Sequence, residues 1–207
     1  MIKHLGNVPT NVNLAFSGGI DSIAAALFYK NGGRNVTLYH FNHGCEYSDT
    51  IEKQCIELAN KLELPIIVGK NTNTIKPKQS LEDFWRKSRY KFFYETLNDG
   101  ETIITAHHLN DSVETWVWSS LHGEGKIIQS SQEVVYNDKT ITLLRPFLIN
   151  TKEKMKSYVE PYGISPVEDN YNNDMSLTRN YIRNIMMPHI LVVNPGIEKV
   201  IKKKYLK

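Results

Sequence analysis

Apolar residues in the first half of the chain follow two alternating patterns. Short, nearly continuous apolar runs predict buried strands at residues 12–16, 36–40, 66–68 and 102–106. Between these runs, apolar residues recur every three or four positions, which predicts amphipathic helices at about 21–29, 48–62 and 80–97. This alternation favours an α/β fold with a doubly wound parallel sheet, whose ligands bind at the carboxyl ends of its strands.

Cap and turn signals lie at the borders of these segments. Asn31-Gly32-Gly33 predicts the end of the first helix, and Asp49 with Glu52 predicts a capping box at the start of the second. Ser80 is placed to cap the third helix, after a polar loop over residues 69–79. Each of the three helices therefore has a signal at one end.

The pattern changes after residue 121. Two short runs at 134–136 and 140–144 flank Asn137-Asp138-Lys139 and predict a hairpin. Further helices are predicted at about 151–162, at 176–187 with its end before Pro188, and at 197–207.

Length and composition are those of one globular domain. The 207 residues are 41% hydrophobic and 23% charged, which is typical of a soluble protein with a substantial core. We expect a core over residues 1–125 and a hairpin with a small helical appendage over 126–207, continuous with the same domain. The net charge of +3 permits contact with nucleic acid without demanding it.

The two cysteines, Cys45 and Cys55, are ten positions apart, and the sequence has no Cys-x-x-Cys pair. This spacing argues against a structural zinc site, an iron–sulfur cluster or a disulfide scaffold, and Cys55 falls on the apolar side of a predicted helix. No apolar run reaches membrane-spanning length. We therefore expect a cytoplasmic protein without membrane contact.

The stretch with the clearest chemistry is Ser17-Gly18-Gly19-Ile20-Asp21-Ser22, between the first strand and the first helix. Two glycines let the backbone turn sharply, and the helix that follows directs its unpaired N–H groups and its positive dipole end at the turn. These features predict a phosphate site, although Gly-Gly beside Asp and Ser is also ordinary turn chemistry. No Gly-Lys-Ser/Thr follows, so the stretch is not a Walker loop.

Polar side chains follow two other predicted strands. His40, Asn42 and His43 come after the second strand, and His107 comes after the fourth. Because carboxyl ends of parallel strands share one edge of a sheet, we expect these residues and Ser17 to line one pocket. His40, Asn42 and His43 have the chemistry to hold the phosphate or ribose of ATP, or to stabilise their own loop.

Asp111 and Glu114 lie three residues apart near the start of a helix, just after His108. That spacing puts the two carboxylates on one helical face, where oxygen ligands suit Mg²⁺ and the imidazole is free to move a proton. The structural alternative is that the acidic residues only complement the helix dipole.

Five arginines are candidates for contact with phosphate or RNA, and surface salt bridges would explain them nearly as well. Arg179 and Arg183 are four apart on one helical face. The others are Arg86, Arg89 and Arg145.

The Ser-Gly-Gly-Ile-Asp-Ser stretch resembles the pyrophosphate loop of the N-type ATP pyrophosphatases. Further motifs resemble, in order, those of the tRNA(Ile)-lysidine synthetase family over roughly residues 12–190. These motifs are His40-x-Asn42-His43-Gly44, Ser80-x-Glu82 with Arg86 and Arg89-Tyr90-x-Phe92, Ala106-His107-His108-x-Asn110-Asp111 with Glu114, Arg145-Pro146, Glu168-Asp169-x-x-Asn172, and Arg179-Asn180-x-Ile182-Arg183.

The resemblance implies a Rossmann-like fold of the adenine nucleotide α-hydrolase type and a two-step ligation. ATP would adenylylate C2 of the wobble cytidine of an isoleucine tRNA with a CAU anticodon, and free lysine would then displace AMP. It implies catalytic roles for Asp21, His108, Asp111 and Glu114. Asp111 and Glu114 would hold either the metal, with Asp111 as the magnesium ligand, or the lysine ammonium. It further implies tRNA or phosphate contacts for the five arginines.

The chain departs from the family pattern at two places. Asn110-Asp111 stands where two aspartates are usual, and residues 122–129 keep only part of an Arg-Gly-x-Gly-x-x-Gly-Leu motif. Longer family members also carry C-terminal tRNA-binding domains, so anticodon recognition would be reduced, shared across a homodimer or supplied by a helper protein. Two alternatives stay open: a different base or small molecule as the acceptor, and a nucleotide or tRNA binder without turnover.

Overall fold

The computed structural model describes residues 1–75, 80–168 and 174–206. The strands are β1 (Asn11–Ala15), β2 (Asn35–Asn42), β3 (Ile66–Lys70), β4 (Thr102–Ile104), β5 (Ser131–Tyr136) and β6 (Lys139–Leu144). The helices are α1 (Ile20–Asn31), α2 (Ser48–Lys61), α3 (Leu81–Thr96), α4 (Leu109–Leu121), α5 (Lys152–Val159), α6 (Thr178–Tyr181), α7 (Met187–Val193) and α8 (Ile197–Lys203). A 3₁₀ turn, Glu160–Tyr162, follows α5, and a π-helical segment, Ile182–Met186, joins α6 to α7.

The strands of the described residues form one sheet in the order β3-β2-β1-β4-β6-β5. All neighbouring pairs are parallel except β5 with β6, which form the predicted hairpin. The doubly wound α/β class is therefore confirmed. The chain runs outward from β1 to β3 and then returns to β4 on the other side of β1, so the strand order reverses between β1 and β4. That reversal is where open α/β sheets bind ligands.

Successive residues of each strand point to opposite faces and enter two separate cores. On one face, Leu14, Leu38 and Ile104 pack with α1, α2 and α5. On the other face, Tyr39 and Ile103 pack with the aromatic side of α3. A third, smaller core joins α4 to α7 and α8. The sheet is thus covered on both sides, and its carboxyl edge is left for the site.

Two local predictions are wrong. The capping box at Asp49 and Glu52 does not form, because both carboxylates accept hydrogen bonds of 2.7 Å from Asn42 Nδ2 and Tyr47 occupies the N-cap position without a side-chain bond. The predicted loop over 69–79 begins later, because Gly69 and Lys70 extend β3. Residues 76–79 of that loop lie outside the described residues.

The predicted end of a helix before Pro188 is also wrong, because α7 continues through this proline. Proline lacks the N–H that would bond to the carbonyl of residue 184, and its ring crowds that carbonyl. The wider π turns of Ile182–Met186 lie just before it and accommodate both effects. No helix in the described part of the chain is both long and apolar enough to cross a bilayer.

Candidate functional site

The glycine loop between β1 and α1 has the geometry of an anion site. Gly18 has a φ of +74° and Gly19 occupies the N-cap position of α1. The N–H groups of Ile20, Asp21 and Ser22 lie in the first helical turn, where no intrahelical carbonyl is available to them. Their orientation, together with the helix dipole, favours a phosphate group at this point.

Neighbouring residues hold the loop in this shape. Val167 N–H donates to Gly18 O at 3.0 Å, and His40 Nδ1 donates to Phe16 O at 2.9 Å. Ser22 Oγ donates to Gly19 O at 2.8 Å, and Ser17 Oγ accepts from Gly19 N–H at 3.3 Å. The predicted ATP-binding residues Ser17, His40 and Ser22 therefore also brace the backbone that would contact the phosphates.

The space next to the Cα of Gly18, where a side chain would begin, is closely packed. A Cβ on Gly18 would lie 2.6 Å from Val167 Cγ2 and 2.9 Å from Cys55 Sγ. Burial raises the pKa of the Cys55 thiol to about 12, so this cysteine is a packing residue and not a nucleophile. The core position predicted for Cys55 is confirmed.

Asp21 lies in the first turn of α1 and faces His108, which follows strand β4. Its Oδ1 is buried, accepts no hydrogen bond from the described residues and lies 3.6 Å from His108 Nε2. Its Oδ2 lies 3.5 Å from Lys152 Nζ at the start of α5. A buried carboxylate oxygen without a hydrogen-bond donor has unused capacity for a cation or a proton.

His108 connects Asp21 to Asp111. It is the N-cap of α4, its backbone N–H donates to Asp111 Oδ2 at 2.8 Å, and its Nδ1 lies 3.4 Å from Asp111 N. Burial lowers the pKa of His108, but the two adjacent carboxylates outweigh burial and raise the pKa above its usual value. The imidazole is thus held between two acids that stabilise its protonated form.

Asp111 and Glu114 lie on one face of α4, as predicted, and two guanidiniums cover them. Arg183 Nε and Nη2 donate to Glu114 at 2.8 and 2.9 Å, in a bidentate pair. Arg179 Nη2 and Arg183 Nη2 donate to Asp111 Oδ1 at 2.9 and 3.1 Å. Burial raises the pKa of Asp111, but the charges of His108 and Arg179 and the His108 N–H lower it strongly overall.

These contacts bear on the expected magnesium site. Each carboxylate oxygen of Asp111 and Glu114 already faces a guanidinium or an N–H group, which leaves no free oxygen directed at a metal. In the described residues, no group of three or more His, Cys, Asp and Glu side chains is arranged to hold a metal ion. Asp21 Oδ1 fits Mg²⁺ better, because Mg²⁺ commonly takes one or two protein carboxylates and completes its shell with phosphates and water. Asp111 as a magnesium ligand stays a prediction.

β2 is longer than predicted and includes His40 and Asn42, so only His43 of the three predicted residues follows the strand, and their partners are partly structural. Asn42 is fully engaged, with Nδ2 bonded to the two carboxylates at the start of α2 and Oδ1 accepting from Gly44 N–H at 2.8 Å. The His43 ring lies 5.3 Å from Phe41 and 5.4 Å from Trp85, and burial with the nearby Arg89 charge lowers its pKa to about 3. His40 Nε2 and His43 Nδ1 are buried without a hydrogen-bond partner among the described residues. These two nitrogens are the atoms of this loop that are available to a ligand.

A second group of arginines surrounds Tyr90. The guanidinium carbons of Arg86 and Arg89 lie 5.3 and 5.9 Å from the Tyr90 ring centre. Arg145 is 4% exposed and donates to Gln129 O at 2.9 Å. Burial raises the pKa of Tyr90, but these three positive charges outweigh it and lower the pKa. Among the described residues, no carboxylate forms an ion pair with these three arginines, so the group carries net positive charge.

Six predicted residues form one continuous set of contacts. They are Asp21, His108, Asp111, Glu114, Arg179 and Arg183. The sequence did not single out Lys152, Val167, Gln129 or Tyr90 as separate candidates, because they contact the site from distant parts of the chain and carry no motif of their own. Asp169 and Asn172, part of the acidic motif, lie outside the described residues, and the neighbouring Glu168 is exposed.

Comparisons with known proteins agree on the fold. A family model described as "PP-loop domain" matches residues 2–190. The chain is 30% identical to the tRNA(Ile)-lysidine synthase of Coxiella burnetii, over 98% of this chain and 47% of the relative. It is 32% identical to the enzyme of the same name from Buchnera aphidicola subsp. Baizongia pistaciae, over 91% of this chain and 44% of the relative. The chain therefore spans about half the length of the curated relatives it matches.

A solved structure with the same fold is the U34-tRNA thiolase NcsA from Methanococcus maripaludis. It superimposes with a TM-score of 0.70 and 15% sequence identity, over 94% of this chain and 71% of the thiolase chain. At this level of identity the likeness concerns the fold alone.

Proposed function

We propose that this chain is an ATP-dependent tRNA-modifying enzyme that joins lysine to the wobble cytidine of a CAU-anticodon isoleucine tRNA. The chain belongs to the PP-loop domain family. The observation that carries the proposal is the glycine loop at the reversal point of the sheet. Its free N–H groups and braced backbone suit a phosphate group of ATP, and the adjacent buried Asp21 oxygen suits the Mg²⁺ that accompanies the triphosphate. The names of the relatives support tRNA and lysine as the other substrates.

The proposed reaction has two steps. The C2 oxygen of the cytidine attacks the α-phosphorus of ATP, the bond from the α-phosphorus to its bridging oxygen breaks, and pyrophosphate leaves. The lysine ε-amine then attacks C2, the C2–O bond breaks, and AMP leaves. The first step develops negative charge on the leaving pyrophosphate, which the N–H groups of residues 20–22 stabilise.

Magnesium, when bound beside Asp21, would neutralise part of the pyrophosphate charge. The chain's own contribution is to hold the Asp21 carboxylate against α1, where it faces the phosphate site and His108.

His108 is proposed to take the proton that the attacking amine loses. Its imidazole lies between the Asp21 and Asp111 carboxylates, which stabilise the imidazolium that forms.

Asp111 and Glu114 are proposed to receive the lysine ammonium. Two guanidiniums occupy them in this structure, so binding of the ammonium exchanges one positive charge for another. A displaced guanidinium of Arg179 or Arg183 is then free to contact a phosphate. The group of Arg86, Arg89 and Arg145 is proposed to attract RNA phosphates, because its positive charge has no carboxylate partner among the described residues. The exposed Arg86 is the member placed to contact a phosphate, whereas the buried Arg145 adds only its charge.

The test uses the 207-residue protein with ATP, Mg²⁺, labelled lysine and total tRNA. We expect pyrophosphate release that requires tRNA, in amounts equal to the lysine incorporated, and a mass gain on cytidine in the CAU-anticodon isoleucine tRNA. Asp21→Asn should reduce pyrophosphate release by at least about 100-fold, since it removes the carboxylate charge that would hold Mg²⁺ beside the phosphates. Asp138→Asn in the exposed hairpin turn is the matched control and should change nothing.

Three results separate the alternatives. Pyrophosphate release with tRNA but without lysine transfer would move the proposal to another acceptor or nucleophile. Release that is independent of tRNA would indicate a small-molecule acceptor. ATP binding without any release would indicate a nucleotide-binding protein without turnover.

A further inference from the structure

An aromatic pair lies exposed on α4, outside the contacts described so far. Trp118 is 44% exposed, and its ring centre lies 4.6 Å from that of His122. His122 Nδ1 donates to Trp118 O at 2.8 Å, which fixes the imidazole beside the indole. The rings are tilted by 38° to each other, so the pair presents the flat face of the indole to solvent in a fixed position.

The pair shares a helical face with the two carboxylates of the candidate site. Trp118 is seven residues after Asp111 and four after Glu114, and both spacings return to the same side of an α-helix. At a rise of about 1.5 Å per residue, Trp118 lies roughly 10 Å further along α4 than Asp111. The same face thus carries charged groups at its N-terminal end and an aromatic surface at its C-terminal end.

The core of the protein does not use this indole. The side of α4 that packs inward is formed by Leu109, Val113 and Val117, and Trp118 belongs to none of the three cores. Single exposed apolar residues are common, so exposure alone carries no conclusion. The fixed contact with His122 and the alignment of Trp118 with Asp111 and Glu114 are what point to a ligand.

We propose that Trp118, held by His122, is a stacking surface for an unpaired base of the RNA substrate close to the base that reacts. This inference rests on the proposed function in taking tRNA as the substrate. Aromatic side chains recognise single-stranded RNA by stacking on the flat face of a base, and they do so with little dependence on sequence. The arginines beside the carboxylates suit phosphates, and the uncharged aromatic pair suits a base.

Binding of RNA without ATP or lysine tests the proposal. The probes are a hairpin RNA with an unpaired anticodon-type loop and a fully paired duplex of the same length. Trp118→Ala should weaken binding of the loop RNA by about 5- to 150-fold, the usual effect of losing one stacked base, and should leave duplex binding within about twofold. Trp118→Phe should restore most of the loss, because it keeps an aromatic face.

Tyr136→Ala is the matched control. Tyr136 is also 44% exposed and stacks on Tyr94 at 5.3 Å, but it lies on the edge strand β5. Its removal should affect neither RNA. If Trp118→Ala fails to fold, the comparison of Trp118→Phe with His122→Ala replaces it, and His122→Ala should weaken loop binding alone.

Two outcomes would overturn the proposal. Equal weakening of loop and duplex RNA, or no weakening of either, would show that the pair does not bind an unpaired base. A change of oligomeric state in sedimentation with Trp118→Ala would assign the surface to self-association instead. The binding assay needs no turnover, so the two proposals can fail separately. If the unaltered protein transfers no lysine but Trp118→Ala still weakens binding of loop RNA alone, the proposed function is wrong and the stacking surface is supported.

Discussion

Replacement of Gly18 should change the geometry of the glycine loop and leave the other features of the site unchanged. Its φ of +74° lies in the left-handed region, which an L side chain adopts at a cost of about 1–2 kcal/mol. Its Cβ position is also filled, because Val167 Cγ2 would lie only 2.6 Å away. Two independent constraints therefore act on one residue.

Gly18→Ala should lower ATP affinity by at least about tenfold, because the added methyl group pushes the loop away from Val167 and misaligns its N–H groups. Equilibrium dialysis with ATP measures the affinity, and thermal unfolding measures the stability. Gly33→Ala is the control, since Gly33 has a φ of +71° but no atom within 4 Å of its Cβ position. It should lose about 1–2 kcal/mol of stability and bind ATP normally. Equal ATP affinity in both variants would contradict the prediction.

At the scale of single residues, the sequence predicted which residues face the site. It predicted less well which residues they contact. Asp111 and Glu114 share a face because helical spacing alone demands it. The contacts of Val167 with Gly18 and of Lys152 with Asp21 depend on tertiary packing, which no local pattern encodes. The guanidiniums of Arg179 and Arg183 were expected to face RNA or form surface salt bridges, and in this structure they cover two buried carboxylates.

At the scale of elements, the ion cluster links α4 to α6 and the π segment, beside the apolar contacts of α4 with α7. Asp111 and Glu114 are 7% and 5% exposed, so their charges depend on Arg179 and Arg183 for compensation. Removal of one partner from a buried pair leaves an uncompensated charge and typically destabilises by about 3–5 kcal/mol.

Arg183→Ala should therefore lower the free energy of unfolding by about 2–4 kcal/mol, somewhat less than for a fully buried pair because the Arg183 side chain is 31% exposed. Hydrogen exchange should rise first in α6, the π segment and α7. Lys126→Ala, which breaks an exposed pair with Glu124, is the control and should change stability by less than about 1 kcal/mol. A loss spread evenly over the sheet would argue against a local link.

The contact between β3 and α3 depends on a glycine. A Cβ on Gly69 would lie 2.3 Å from Cδ2 of Phe92, so the ring of α3 sits directly on the backbone of β3. Alanine is a better strand residue than glycine by some tenths of a kcal/mol, whereas overpacking of this kind costs about 1–3 kcal/mol. The clash should therefore outweigh the gain in strand propensity, so that replacing Gly69 by alanine lowers the stability of the protein.

Gly69→Ala should destabilise the protein by about 1–3 kcal/mol, as measured by chemical denaturation. Phe92→Leu added to Gly69→Ala should cost less than the sum of the two single changes, because the smaller side chain makes room for the methyl group. Strict additivity would show that the two residues do not press on each other.

The elements themselves were largely predictable, and the errors have local causes. The helices and parallel strands follow from apolar periodicity, which burial on both faces of the sheet enforces. The capping box failed because Asn42, at the end of the preceding strand, binds the same carboxylates. Pro188 was taken as a stop signal, but a π segment just before it absorbs the missing hydrogen bond.

At the scale of the whole molecule, strand order was beyond the sequence patterns. The hairpin was predicted, but not that β6 would pair in parallel with β4 while β5 forms the antiparallel edge. This pairing puts Arg145, at the end of β6, on the carboxyl edge of the sheet where β1 and β4 also end. The site therefore collects residues from both halves of the chain.

Burial of neutral histidines around this edge makes overall stability depend on pH. Burial lowers the pKa of His40, and it lowers the pKa of His43 and His107 to about 3. Between about pH 6.5, where unfolded histidines titrate, and pH 4, the unfolded chain binds protons that these three histidines do not bind in the folded protein. His108 has a raised pKa, so its contribution is fully present below about pH 6.5 and is lost only as the pH rises through its folded pKa.

We therefore expect the free energy of unfolding to fall as the pH drops from 6.5 to 5, by up to about 1.4 kcal/mol per pH unit for each of the three histidines. His108 does not oppose this loss, because it is protonated in both states in that range. His107→Gln, which can keep the hydrogen bond to Thr105, should remove about a third of the slope, measured by urea denaturation at several pH values. His189→Gln on the exposed side of α7 should leave the slope unchanged. Stability that stays flat or rises on acidification would mean that the edge histidines take up protons in the folded state, and the packing around the carboxyl edge would then be looser than these contacts require.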